Sequence, residues 1–107
     1  MKIVVQTSLI ACAFMFGSLS ALAEGDADAG RQKAETCLGC HAAPNIENVY
    51  PMYRVPKVAG QHAEYLAAAL KAYRDGQRPH KTMQANAANL SDQDIEDIAA
   101  YFADALN

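Results

Sequence analysis

Cys37-Leu38-Gly39-Cys40-His41 places two thiols three residues apart, with a histidine directly after the second. No other segment constrains the fold as strongly, because C-x-x-C-H is the attachment site for c-type haem. Each part has a chemical reason. The sulfurs add across the two vinyl groups of one macrocycle, so they must lie on one side of the backbone. One helical turn puts residues i and i+3 there. The adjacent imidazole is then held under the iron as the first axial ligand. The competing reading, a thioredoxin-like dithiol, requires a βαβ pattern that this chain lacks.

The chain begins Met1-Lys2, continues through an apolar stretch from Ile3 to Leu22, and reaches Ala21-Leu22-Ala23 before Glu24. A basic start, a hydrophobic segment and a small-x-small site are the grammar of a secretory signal peptide. The expectation is cleavage after Ala23, with residues 1–23 as signal and residues 24–107 as one domain exported to a bacterial periplasm. A retained membrane anchor would want about 20 predominantly apolar residues. Here Gln6, Thr7, Ser8, Ser18 and Ser20 interrupt the run, so no stable membrane insertion is expected after cleavage. Leu9-Ile10-Ala11-Cys12 has the form of a lipoprotein cleavage box, but apolar sequence continues past Cys12, where a polar tether would be usual.

Cleavage after Ala23 also resolves the odd number of cysteines. Cys12 leaves with the signal, and of the three in the chain only Cys37 and Cys40 remain. Both are used in thioethers, and no structural disulfide is available. A domain this short struggles to build a sufficient core from side chains and usually needs a staple. A covalently held haem is such a staple. The formal net charge is −3, and it becomes more negative when Lys2 leaves with the signal. That balance argues against nucleic acid, whose phosphates demand a basic face.

Three stretches carry helical signals and none alternates like a strand, so the fold class expected is all-α. The first runs from about Asp26 to Thr36 and delivers the chain to Cys37. The second runs from about Gln61 to Asp75, with Tyr65, Leu66, Ala69, Leu70 and Tyr73 on one face and Gly76 at its stop. The third starts at Ser91, a good N-cap, with Asp92 and Asp94 in its first turn. Ile95, Ile98, Ala99, Phe102 and Leu106 form its apolar stripe. Between the helices lie two loops, Ala42 to Gly60 and Gln77 to Leu90. Long loops in a compact domain usually line something.

If His41 holds one face of the iron, the donors available for the other are Met52, His62, His80 and Met83. A thioether opposite a histidine favours the ferrous state and suits an electron carrier, whereas a second histidine lowers the potential. Met52 lies only a short way beyond His41 and has little chain with which to cross the ring. His62 opens the second helix, where a surface or capping role is ordinary. His80 and Met83 share the second loop, and their positions do not separate them.

From Asp28 to Leu106 the sequence resembles a class I c-type cytochrome of the cytochrome c4/c553-like group. The likeness rests on the haem motif near the start and on Met83 followed by Leu90-Ser91-Asp92-Gln93-Asp94-Ile95 and Ala99-Ala100-Tyr101-Phe102. It also rests on Pro56-Lys57-Val58-Ala59-Gly60-Gln61-His62, similar to the group's P-x-L-x-G-Q segment. The resemblance implies a small cytochrome c fold, three main helices around one covalently bound haem c. It implies attachment through Cys37 and Cys40, with His41 and Met83 as axial ligands. It further implies that the Pro56 carbonyl accepts the ring N–H of His41, fixing its tautomer, and that Gly30 permits a close crossing beside Ile98 and Tyr101. Val58 stands where leucine is more usual. The loop from Asn45 to Arg54 is rich in Tyr and Pro rather than Gly, and Tyr50, Tyr53 and Arg54 are candidates to reach a haem propionate. The c4 name often implies two haem domains, whereas this chain has a single motif.

The function so implied is a periplasmic carrier of single electrons between transient redox donors and acceptors, not an enzyme. The alternatives are a haem subunit of a larger oxidoreductase, such as a sulfur-compound dehydrogenase, and a five-coordinate gas sensor or peroxidase.

Overall fold

The structure, a computed structural model, describes residues 24–41 and 55–105. Among the described residues the regular structure is helical: α1 (Ala27–Lys33), α2 (Glu35–His41), α3 (Ala63–Arg74), α4 (Lys81–Ala87) and α5 (Asp92–Asp104). The expected signal peptide and the Ala42 to Arg54 part of the first loop, with Met52, Tyr50 and Tyr53, lie outside the described residues.

α5 is the spine. The Ser91 side chain accepts from the Asp94 N–H while the Asp94 carboxylate accepts from the Ser91 N–H, a reciprocal capping box. The helix then buries Ile95, Ile98, Ala99 and Phe102 against Ala34, Leu66 and Ala67. Fully burying one Ile- or Phe-sized side chain stabilises by about 1.5–3 kcal/mol, so this seam outweighs any single polar contact on the surface.

α1 crosses α5 at very short range. A side-chain carbon on Gly30 would collide with the Asp97 carbonyl oxygen, and one on Gly25 would collide with the Glu96 carbonyl oxygen. The approach is locked by Asp97, a carboxylate 3% exposed. It accepts from the Asp26 N–H at 2.8 Å, from Lys33 Nζ at 2.6 Å and from Gln93 Nε2 at 2.8 Å. Every lone pair of a buried carboxylate needs such a partner. The expected crossing at Gly30 is present; the groups it meets are the Asp97 backbone and Tyr101.

α3 also packs on α5. Lys71 Nζ reaches Glu96 Oε1 at 2.6 Å, and Arg74 Nη1 reaches Asp92 Oδ1 at 2.7 Å and the Leu90 carbonyl at 3.2 Å. Gly76, at φ +77°, follows α3 at the predicted stop.

Two expectations about the elements need correction. The first predicted helix is two helices, because Ala34 turns the backbone (φ −84°, ψ 0°) and lies wholly buried under α5. The second loop contains α4. Lys81–Ala87 carries no apolar stripe and buries only Ala87, so periodicity gave no sign of it.

Candidate functional site

α2 carries the haem motif. Its Glu35–His41 span puts Cys37 and Cys40 one turn apart on a common side. Cys37 is half-buried against the core and Cys40 is exposed, and both are free thiols. Burial pushes the Cys37 thiol above its ordinary range, and the neighbouring Cys40 adds to the shift. Leu38, between them, packs on the core and anchors the helix.

His41 closes α2 and is half-buried. Its Nδ1 donates to the Pro56 carbonyl at 2.8 Å. A carbonyl oxygen is acceptor only, so the bond requires the proton on Nδ1 and leaves the Nε2 lone pair for a metal. Pro56 is exposed, but the segment behind it is fastened twice. Val58 packs against the core, and the Gly60 N–H donates to the Phe102 carbonyl at 2.8 Å, with Gly60 at φ +78°. The chain thus carries a carbonyl from α5's neighbourhood back to the imidazole, and the bond spans 15 residues of sequence.

Met83 is the third residue of α4 and is half-buried. Of the other sixth-ligand candidates, His62 is exposed at the N-cap of α3 with no side-chain capping bond. His80 is exposed at the N-cap of α4, where its Nδ1 accepts from the Met83 N–H at 3.3 Å. Met52 and the propionate candidates Tyr50, Tyr53 and Arg54 lie outside the described residues.

These residues fit one covalent haem on the chemistry of the donor set: two thiols a turn apart, an imidazole whose Nε2 makes no hydrogen bond among the described residues, and a half-buried thioether. Among the described residues Leu38, Val58, Leu70, Leu90 and Tyr101 are apolar, pack against the core and stay only partly buried. Side chains of this kind gain from being covered by an apolar plate. Sequence reasoning missed Asp97 and Gly25. An aspartate between Ile95 and Ile98, on the buried stripe of α5, was the available signal, since a lone carboxylate is almost never buried without partners.

A family model described as cytochrome c matches residues 27–105. Cytochrome c-554(548) of Halomonas halodenitrificans is 46% identical over 82 residues, covering 74% of this chain and 95% of that protein. Cytochrome c4 of Pseudomonas aeruginosa is 46% identical over 81 residues, covering 76% of this chain and 39% of that protein. Among solved structures, reduced recombinant cytochrome c4 from Pseudomonas stutzeri superposes with a TM-score of 0.59 at 31% identity. The match covers 75% of this chain and 50% of that one. The chain therefore spans nearly all of one relative and half or less of the c4 proteins.

Proposed function

The chain belongs to the cytochrome c family, as a single-haem, c4-like class I member that carries haem c and transfers electrons, and we propose that it shuttles single electrons between redox proteins in the periplasm. In this reading Cys37 and Cys40 would hold the macrocycle by two thioethers. His41 Nε2 and the Met83 sulfur would hold the iron. When bound, the iron supplies a one-electron ferric–ferrous couple.

The observation that supports this most directly is the 2.8 Å bond from His41 Nδ1 to the Pro56 carbonyl. It fixes the tautomer and the ring orientation, which makes the imidazole a stronger donor at Nε2. Met83, half-buried on α4, supplies the soft thioether that favours the ferrous state. In this reading the chain itself would fill both axial positions, as suits a carrier rather than an enzyme. Docking to donors and acceptors is then weak and brief, through a small interface.

Export and signal cleavage after Ala23 belong to the same proposal. Among the described residues no helix is long and apolar enough to cross a membrane. Mass spectrometry of exported protein should show a chain beginning at Glu24 with one added haem.

Visible spectra of the purified protein, oxidised and reduced, test the site. A c-type pyridine haemochrome and a far-red sulfur-to-iron band in the ferric form are expected, and Met83→Ala should abolish the band. Persistence of the band in that variant would refute Met83. Ready binding of carbon monoxide by the reduced wild type at neutral pH would favour a five-coordinate sensor instead.

A further inference from the structure

Met83 takes its place from a neighbour. Its backbone N–H is held by His80 Nδ1 at 3.3 Å, the side-chain cap of α4. A helix of seven residues has little stability of its own, so its position depends on its ends and its tertiary contacts. Histidine is an unusual choice there, because Ser, Thr, Asp and Asn cap more strongly.

What histidine adds is a ring. His80 stands edge-on to Tyr73 of α3, with centroids 6.4 Å apart and planes at 74°. The Arg78 guanidinium lies 4.9 Å over the same Tyr73 ring. Gln84, inside α4, donates from Nε2 back to the Arg78 carbonyl at 3.1 Å. Tyr73 thus pairs with His80 in a T-shaped contact and carries Arg78 over its ring, both from the segment that leads into α4. Edge-to-face aromatic pairs and cation–π contacts of this geometry are favourable and directional.

We propose that His80 is a positioning residue for Met83: it caps α4 and ties that cap to α3 through Tyr73, so that the thioether is presented at a fixed reach. The inference rests on the reading of Met83 as axial ligand, and it gives His80, the histidine of the second loop, a use that does not require it to touch iron.

The test is competition by added imidazole for the methionine position in the ferric holoprotein, read by loss of the far-red band. Loss of a cap corresponds to about a fivefold shift in a local equilibrium, so His80→Ala should bind imidazole about fivefold more tightly than wild type. His80→Asn restores the capping acceptor without the ring, and should fall between the two. Ala85→Gly weakens α4 at an exposed site away from both contacts, and is the control for general loosening. If His80→Ala matches wild type, or matches Ala85→Gly at equal loss of melting temperature, the positioning role is overturned. Should Met83→Ala itself keep the band, the ligand assignment fails first; should it lose the band while His80→Ala behaves as wild type, only the positioning role fails.

Discussion

Gly30 of α1 and Asp97 of α5 meet backbone to backbone: a side-chain carbon on Gly30 would collide with the Asp97 carbonyl oxygen and stand 2.9 Å from Tyr101 Cβ. Neither neighbour is a flexible tip that can swing away. Gly30→Ala should therefore force the helices apart and destabilise the holoprotein by about 2–3 kcal/mol, the upper part of the range for overpacking a close contact. Thermal melts followed at the haem band check it. Gly25→Ala should act in the same direction, since it faces the Glu96 carbonyl. A melt unchanged in both variants would mean that the crossing is looser than described.

The carboxylates of the same crossing predict a pH dependence. Lys33, at 2.7 Å, together with the capping bonds from Ser91, draws Asp94 from an ordinary 3.8 down to about 2. Lys33 first, then the Asp26 N–H, also lowers Asp97. A carboxylate with a depressed folded value binds fewer protons folded than unfolded, so its contribution is present above about pH 4 and is lost as the pH falls toward 2. The melting temperature should drop across that window. Asp94→Asn and Asp97→Asn should each flatten the drop, and Asp97→Asn should cost about 2 kcal/mol at neutral pH through its lost charged hydrogen bonds.

The reach of sequence reasoning follows from what each element depends on. α5 was legible because its start is local: Ser91, Asp94 and the Ile95, Ile98, Phe102 stripe all lie within a few turns. The attachment motif was legible for the same reason. Asp97 was not, because its partners Asp26 and Lys33 lie 71 and 64 residues away. α4 was not, because a helix held by a histidine cap and a tyrosine on α3 shows no apolar period. The His41–Pro56 contact came from family resemblance rather than from any pattern in the residues themselves.

Gly60 predicts a coupling between backbone conformation and the iron site. At φ +78° it adopts a region where a side chain costs about 1–2 kcal/mol, and its N–H is bonded to the Phe102 carbonyl. Gly60→Ala should lower stability by about that amount. It should also disturb the Pro56 carbonyl four residues before it, which the proposed function places on the His41 ring. The expected signature is a lower melt accompanied by a shifted reduction potential. A lowered melt with an unchanged potential would show that the Pro56 contact survives independently of the turn at Gly60.

The described core predicts that haem is needed for folding. Its large buried side chains are Leu66, Ile95, Ile98 and Phe102, and the remaining buried apolar positions are alanines. Leu38, Val58, Leu70, Leu90 and Tyr101 pack against that core but stay partly exposed. Among the described residues, two such incomplete layers do not offset the conformational entropy of a domain this small. Cys37→Ala/Cys40→Ala, exported without attached haem, should therefore show little helical circular dichroism and no cooperative melt. Native-like helix content with a cooperative melt in that variant would mean that α1, α3 and α5 are held by Ile95, Ile98, Phe102 and the Asp97 contacts alone, which would leave the haem with a redox role and no structural one.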